Sequence, residues 1–305
     1  MPALMIYSPA TPTTILHRQN QAIGAALESR GLTNTVEALA LPQSVNLLAE
    51  KSPSEKSLHL PILTTVDVLP AILGVGPKAH TYVRANHDLK FITSLYDVGF
   101  GVLAFDNTIK TPADLRGKRI AAFAPSSSVR VFTEALLQAW QIREDVEILE
   151  IPPSELEDAI LSQRVDATTQ LTLCKTSQGF LPTLPSLLQI AGARWIDVDE
   201  TTVAAINTSQ TFKTQRLSIE VDDISCSNVL PDKPASLLSF RQALMGWDST
   251  PASIVRAILS CLESDWFQSR DLRNRASEMA SWPALTSGQI HEAALAFYRE
   301  NGLEP

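Results

Sequence analysis

A run of three serines followed by an arginine is a feature of this 305-residue sequence that could bind a ligand. Ser126, Ser127 and Ser128 stand between an apolar stretch and a segment with helical spacing, so they predict a turn at a helix N-terminus. Unpaired backbone N–H groups and the positive end of the helix dipole favour an anion at such a turn. Arg130 would add a charge-assisted hydrogen bond to a carboxylate or phosphate. The alternative is that the serines only cap the helix.

The elements around this turn alternate between strands and helices through the first 200 residues, which is typical of an α/β protein. Strands are predicted at residues 3–7, 33–41, 59–68, 119–124, 146–151 and 165–173, with two extended pieces within 91–105. Helices are predicted in the C-terminal part at residues 236–247, 251–264, 270–280 and 287–300. In an open α/β sheet ligands gather at the carboxyl ends of the strands, so polar residues that follow strands are candidates for a site.

The composition limits the classes of function. A net charge of −8 argues against a broad nucleic-acid surface, although a local arginine can still hold an acidic ligand. Cys174, Cys226 and Cys261 give neither a disulfide framework nor metal-ligand spacing, which favours a reducing compartment. The histidines also lack metal-ligand spacing, and no glycine-rich nucleotide motif is present. We therefore predict no metal and no cofactor.

The first residues, MPALMIYSP, do not form the basic and then apolar pattern of a secretory signal. No apolar run approaches the roughly 18 residues that a membrane-spanning helix needs. These features predict a protein without membrane insertion in the cytoplasm, or in the periplasm if a signal peptide has been removed. They do not indicate an oligomeric state.

Five short segments occur in an order that resembles a known family. They are QSVNLL at 43–48, LTTVDV at 63–68, TPADLRGKRIAAFAPSSSVRVFTEALL at 111–137, LSQRVDATTQL at 161–171 and HEAALAFYRENG at 291–302. Together they resemble the TAXI family of TRAP-transporter solute receptors, which have a type II periplasmic-binding-protein fold. The resemblance spans most of the chain, and it depends on the joint order of motifs that are individually weak.

The resemblance implies an α/β fold of two lobes with an interlobe ligand cleft and a helical C-terminal part. Lobe 1 would contain residues 1–98 and 196–305, lobe 2 would contain 99–195, and the crossings would lie near 97–105 and 192–198. The ligand would be a small carboxylate. The positions that the resemblance places toward it are Thr13, Thr14, Ser44, Asn46, Thr65, Asp67, Ser126, Ser127, Ser128, Arg130, Thr168 and Gln170.

Five side chains near the implied cleft could act as general acids or bases: His17, Asp67, Tyr96, Asp97 and Asp166. His17 could face the ligand, lie on the surface or cap a helix. Asp67 could be a base or could cap the next helix. Tyr96 and Asp97 sit at a possible hinge, where a structural role is the alternative, and Asp166 could tie down a turn.

Fold does not determine function, because similar scaffolds serve menaquinone-pathway lyases, a hydroxyphthalate decarboxylase and thiamin-pyrimidine synthases. The family's glycine-rich first loop is here SPATPTTILHRQN, and its Gly-Ser-Gly turn is SSSV, which changes how closely a backbone can approach a ligand. These departures and the absent signal favour an intracellular biosynthetic enzyme of the decarboxylase, dehydratase or isomerase type. Its catalytic candidates are His17, Asp67 and Tyr96. The alternative is a solute-binding receptor of a TRAP-type transporter for a small organic acid.

Overall fold

The computed structural model describes residues 3–10, 12, 14–76, 81–176, 179–182, 185–219, 235–262 and 285–302. The strands are β1 (Leu4–Ser8), β2 (Asn34–Ala38), β3 (His59–Thr64), β4 (Leu89–Ala104), β5 (Arg119–Ala122), β6 (Glu147–Glu150), β7 (Ala167–Thr176), β8 (Gly179–Pro182), β9 (Arg194–Ile196), β10 (Gln215–Ile219) and β11 (Ala235–Trp247). The helices are α1 (Ile15–Ser29), α2 (Gln43–Ala49), α3 (Pro53–Lys56), α4 (Thr65–Leu73), α5 (Ser128–Ala139), α6 (Leu156–Leu161), α7 (Pro185–Leu188), α8 (Glu200–Ser209), α9 (Ala252–Cys261) and α10 (Glu292–Glu300). Short 3₁₀ turns occur at Pro112–Leu115, Arg143–Asp145, Pro153–Glu155 and Ser287–Gln289.

The chain divides into two compact units. Unit 1 is Met1–Tyr96 with Arg241–Pro305, and unit 2 is Asp97–Phe240. Strand β4 passes from unit 1 into unit 2, and β11 returns to unit 1. The predicted lobes differ from this division, because they return the chain to lobe 1 at residue 196. Strand β9 instead pairs with β4, and α8 packs against α5, so this part of the chain belongs to unit 2.

In unit 1 the sheet has the strand order β2-β1-β3-β11-β4. Strand β1 pairs in parallel with β2 and with β3, so the carboxyl ends of these three strands share one edge. Helices α1, α2 and α4 each begin after one of these ends. Helix α1 begins where Thr14 caps it, since the Thr14 hydroxyl oxygen accepts a hydrogen bond of 3.2 Å from the N–H of His17.

The start of the last helix of unit 1, α10, is fixed by His291. His291 caps α10, because its Nδ1 accepts a hydrogen bond of 3.2 Å from the N–H of Ala293. Its Nε2 donates to the carbonyl of Thr250 at 3.1 Å. A ring with one accepting and one donating nitrogen is neutral, and burial lowers the pKa of His291.

In unit 2 the sheet has the strand order β4-β7-β5-β6, with β5 parallel to both β6 and β7 and with β4 antiparallel to β7. Helix α5 covers this sheet through Phe132, whose ring centroid lies 5.5 Å from Phe100, 5.2 Å from Phe212 and 4.7 Å from Phe240. These aromatic contacts supply much of the apolar area that fixes α5 and therefore its N-terminus.

Several predicted elements are wrong. The helix predicted at residues 236–247 is strand β11. The prediction failed because most of this segment is buried, so its sequence lacks the alternation of apolar and polar residues that indicates a strand. The third strand ends at Thr64, so Thr65 and Asp67 lie in the first turn of α4. The two extended pieces within 91–105 belong to one continuous strand, β4. The predicted helix at 270–280 lies outside the described residues. So does the segment 225–234, for which the sequence predicts a loop.

Other predictions are confirmed. The spacing of Thr111 and Asp114 predicts a capping box. The structure contains it, since the Asp114 carboxylate accepts from the Thr111 N–H at 2.9 Å. The last predicted helix is present as α10 after a 3₁₀ turn. Among the helices in the described ranges, none is both long enough and apolar enough to span a bilayer.

Candidate functional site

His17, in the first turn of α1, is one of the three catalytic candidates. Unlike the other two side chains, its ring makes no hydrogen bond in the part of the chain that the structure describes. His17 is 3% exposed, and its Nδ1 is buried without a partner. One turn further, Asn20 donates to the hydroxyl of Ser8 at 2.9 Å and accepts from the hydroxyl of Tyr96 at 2.8 Å. Asn20 therefore ties α1 to both β1 and β4.

Tyr96, the second catalytic candidate, is part of this buried network. Besides its bond to Asn20, its hydroxyl lies 3.3 Å from the carbonyl of Leu16, to which it donates. Both contacts join β4 to α1 in the interior of unit 1. Tyr96 therefore contributes to packing in the way that the structural alternative describes.

Asp67, the third candidate, is fully buried at the start of α4. Its carboxylate accepts hydrogen bonds from the hydroxyl of Tyr82 at 2.8 Å and from the hydroxyl of Thr64. Burial, followed by the nearby charge of Asp67, raises the pKa of Tyr82 well above its usual value, so the phenol remains a donor. This arrangement fixes the loop that contains Tyr82 against the start of α4.

The neighbouring Thr65 joins α4 to β11. Its hydroxyl oxygen accepts from the N–H of Arg241 at 2.8 Å, and its hydroxyl donates to the carbonyl of the same residue at 3.2 Å. Thr65 thus has two backbone partners, and it positions the end of β3 beside β11.

Helix α2 carries two predicted ligand positions with different surroundings. Ser44 is 1% exposed, and its Oγ has no hydrogen-bond partner among the described residues. Asn46 donates to the carbonyl of Thr81 at 3.1 Å and accepts from the N–H of Val83 at 3.0 Å. The Ser44 hydroxyl is therefore not used by the described protein groups, whereas Asn46 holds a loop in place.

The serine turn of unit 2 caps α5. The Ser127 hydroxyl oxygen accepts from the N–H of Val129 at 3.1 Å, Ser128 is the first helical residue and Ser126 is exposed. This geometry matches the capping alternative, and it leaves the dipole of a twelve-residue helix directed toward the turn.

Arg130 contacts protein groups on both sides. Its Nε donates to Glu134 at 2.8 Å, its Nη1 donates to the carbonyl of Phe123 at 3.3 Å, and the side chain is 16% exposed. Glu134 also pairs with Arg143. Burial raises the pKa of Glu134, but the hydrogen bonds from Arg143 and Arg130 outweigh it, and the net shift is downward. The charge of Arg130 is therefore balanced within unit 2.

The remaining predicted positions of unit 2 brace the sheet. Thr168 donates to the carbonyl of Ala121 at 3.1 Å, and the Gln170 amide donates to the Thr168 hydroxyl oxygen at 3.1 Å. Asp166 lies at the start of β7, where it accepts from the backbone and side chain of Arg119. Asp166 therefore ties two strand starts together, as its structural alternative predicts.

The predicted ligand positions Thr14, Ser44, Asn46, Thr65 and Asp67 belong to unit 1 and the others to unit 2, while Thr13 lies outside the described residues. Their role in a ligand site stays a prediction. Sequence reasoning missed three partners of the candidate residues: Asn20, Tyr82 and Glu134. Glu134 stands four positions after Arg130, a spacing that predicts an ion pair on a helix. Asn20 interrupts the apolar stripe of α1, which is also a visible signal. Nothing local marks Tyr82, since its partner Asp67 lies 15 positions earlier in the chain.

Within the described ranges, no three His, Cys, Asp or Glu side chains are grouped so that they could hold a metal ion. The prediction of no metal and no cofactor stays a prediction. The groups that the site does offer are hydroxyl, imidazole and amide groups near helix starts. These groups bind by hydrogen bonds, and they suit a small polar ligand.

Residues 71–178 match the family model described as NMT1/THI5 like. No curated protein sequence matches the chain. MatC from Rhodopseudomonas palustris with bound malate has a similar structure, with a TM-score of 0.55 at 12% identity, and the match covers 86% of this chain and 85% of MatC. The R. palustris protein Rpa4515 with adipate gives a TM-score of 0.56 at 12% identity over 98% and 92% of the two chains.

The periplasmic binding protein BugD gives a TM-score of 0.54 at 11% identity over 99% of this chain and 98% of BugD. The chain has the two-lobe α/β fold of type II periplasmic binding proteins. This likeness confirms the predicted fold class. At these identities it shows the fold alone, and the TAXI resemblance stays a prediction.

Proposed function

We propose that the chain is a solute-binding protein for a small organic acid. The proposal rests on which polar groups of unit 1 have a hydrogen-bond partner within the protein and which do not. Asp67 and Tyr96 are committed to buried hydrogen bonds with other side chains, whereas His17 Nδ1 and Ser44 Oγ have no partner in the described ranges. Binding uses hydrogen-bonding groups that the protein itself leaves without a partner, whereas two of the three catalytic candidates are already engaged by other side chains.

The acidic character of the ligand is supported by the helix starts. Helix α1 has fifteen residues and α5 has twelve, and both begin after the carboxyl end of a strand in their own unit. Each has the positive end of its helix dipole at this start, which favours a carboxylate. MatC with malate and Rpa4515 with adipate, which share the fold, also support an organic acid.

A proton-transfer enzyme is the second candidate. His17 favours it, because its buried ring has no hydrogen-bond partner in the described part of unit 1. The predicted biosynthetic lyase or isomerase would use this group without the help of Asp67 or Tyr96. The two candidates also differ in location, since a receptor belongs in the periplasm and the predicted enzyme in the cytoplasm. Fractionation of the native cells with an antibody against the chain distinguishes these locations.

The narrower assignment, a TAXI receptor of a TRAP-type transporter, is also a proposal. It rests on the order of the five sequence segments, and it requires a membrane transporter that accepts the same acid. Deleting the gene should then reduce uptake of the radiolabelled acid by the native cells. Unchanged uptake would contradict the transport role without contradicting acid binding.

Thermal unfolding with a panel of ligands tests the binding function. Malate, succinate and adipate are the acids, and putrescine is the control with the opposite charge. An acid present at about 100 times its Kd should stabilise the fold by about 2.7 kcal/mol, which corresponds to a rise in Tm of about 5 to 10 °C. If no acid raises the Tm, or if putrescine does so equally, acid binding is wrong.

Proton NMR of the bound acid separates binding from catalysis. After several hours with the protein, the spectrum of the acid should be unchanged. The appearance of a decarboxylated, dehydrated or isomerised product would favour the enzyme candidate instead.

A further inference from the structure

Five buried side-chain atoms of unit 1 make no hydrogen bond with any described residue: His17 Nδ1, Ser44 Oγ, Ser94 Oγ, Gln242 Oε1 and Ser249 Oγ. Two of them, in His17 and Gln242, lie on the same face of the sheet. The side chains are 3% and 2% exposed. Buried polar atoms in proteins nearly always have a partner, so two such atoms on the same face of one sheet indicate a position for a ligand group.

His17 lies on the sheet-facing side of α1. Asn20 of the same helix bonds to Ser8 on β1 and to Tyr96 on β4, so this side of α1 covers the sheet. Residues three positions apart share a helix face, which places His17 one turn from Asn20 toward the carboxyl edge. Its burial is consistent with this position.

Gln242 lies on the same face of the sheet. Strands β1 and β3 pair in parallel with Tyr7 opposite Pro61, so Ser8 and Thr64, one and three positions further along, point to the same side. Gln242 stands opposite Thr64 in the antiparallel pairing of β3 with β11, and directly opposite residues share a face. His17 and Gln242 therefore both lie in the layer between α1 and the sheet, toward the carboxyl ends of β1 and β3.

The chemistry of the two groups selects a partner. In the amide orientation of this structure, Gln242 directs Oε1 into the layer, and an oxygen that only accepts hydrogen bonds finds no donor in a carboxylate. A neutral imidazole offers one donor and one acceptor. A hydroxyl group can accept a hydrogen bond from one side chain and donate to the other, and it is small enough for a buried layer.

We infer that His17 and Gln242 recognise a hydroxyl group of the ligand, and that the ligands of this chain are hydroxy acids. The inference rests on the proposed binding of organic acids and specifies their class. A carboxylate of the ligand interacts with the start of α1, and the hydroxyl inserts between α1 and β11. His17 and Gln242 are then specificity-determining residues.

Isothermal titration calorimetry with matched pairs tests this inference. Malate and succinate differ by one hydroxyl, as do 3-hydroxybutyrate and butyrate. We expect the hydroxy member of a pair that binds to have at least a tenfold lower Kd, because the analogue leaves buried groups unpaired.

The variant Gln242→Met keeps the size of the side chain but removes its amide, and it should reduce the ratio of the two Kd values to less than about threefold. His17→Phe should do the same, and it serves as the second variant if Gln242→Met does not fold. Ser249→Ala is the matched control, because Ser249 Oγ is another atom without a partner in the described residues, beyond the opposite end of β11. It should keep the wild-type ratio.

The outcomes separate this inference from the proposed function. Equal Kd values within each pair, or an unchanged ratio in both variants, overturn the hydroxyl assignment and leave acid binding intact. If no acid of either pair or of the wider panel binds, the proposed function is wrong, and the hydroxyl assignment is wrong with it.

Discussion

Replacement of Asp67 by alanine tests whether the buried carboxylate of α4 is structural. Its two oxygens accept from the hydroxyls of Tyr82 and Thr64, and all three side chains are buried. The replacement leaves two buried donors without an acceptor, at a cost of about 1–3 kcal/mol each. We therefore expect Asp67→Ala to lower the free energy of unfolding by about 2–6 kcal/mol. Asp67→Asn keeps one acceptor oxygen and should cost about half as much.

Urea unfolding followed by circular dichroism measures this loss. Tyr82→Phe should cost about 1–3 kcal/mol alone and much less in the Asp67→Ala background, because the two residues share one interaction. The raised pKa of Tyr82 gives a pH test of the same contact. The stabilisation is fully present below about pH 10, the pKa of an unfolded tyrosine, and it is lost as the pH rises further. Tyr82→Phe should remove this alkaline loss.

Asp158→Ala is the matched control, since Asp158 is the third residue of α6 as Asp67 is of α4, but it is exposed. Its replacement should cost less than about 1 kcal/mol. The structural interpretation is refuted if Asp67→Ala unfolds like the wild type while it abolishes acid binding or turnover.

Three further predictions concern a titratable group, a charge and a backbone conformation. The lowered pKa of His291 means that its stabilising effect is present above about pH 6.5 and is lost as the pH falls through the folded pKa, so His291→Asn should flatten the acid limb of a plot of Tm against pH. Arg130→Ala should lower the Tm but change acid affinity less than threefold in calorimetry, because its charge is already paired. A tenfold loss of affinity would instead support the predicted hydrogen bond from Arg130 to the bound acid. Gly74→Ala should cost more than about 2 kcal/mol in urea unfolding, because φ is +68° and a Cβ would lie 2.2 Å from the nitrogen of Ala85. Gly31→Ala, with φ of +84° and no atom within 4 Å, should cost about 1 kcal/mol, and equal losses would contradict the steric argument.

Structural features could be predicted from the sequence where the contacts that determine them are close in the chain. The capping box of Thr111 and Asp114 spans three positions, and the cap by Ser127 spans two. Both follow from backbone geometry that any soluble helix start shares. The alternation of strands and helices that defines the fold class is equally local.

Sequence reasoning failed where a distant element decides. Thr65 looked like the polar end of a strand, but its hydroxyl bonds to Arg241, which is 176 positions away. Strand β11 is mostly buried, so its apolar residues follow neither a strand nor a helix period. The possible role of Gln242 becomes visible only when β11 is known to lie beside β3.

The interrupted sequence of unit 1 has a consequence for biosynthesis. Unit 2 is one continuous segment, so a nascent chain that has emerged as far as Phe240 already contains all of it. Unit 1 is different, because β11 lies between β3 and β4 in its sheet and reaches unit 1 only at Arg241. We therefore expect unit 2 to fold during translation, before the sheet of unit 1 can be completed around its N-terminal strands. Until the last quarter of the chain is made, β3 and β4 have unpaired edges, which are the natural targets of chaperones and of aggregation.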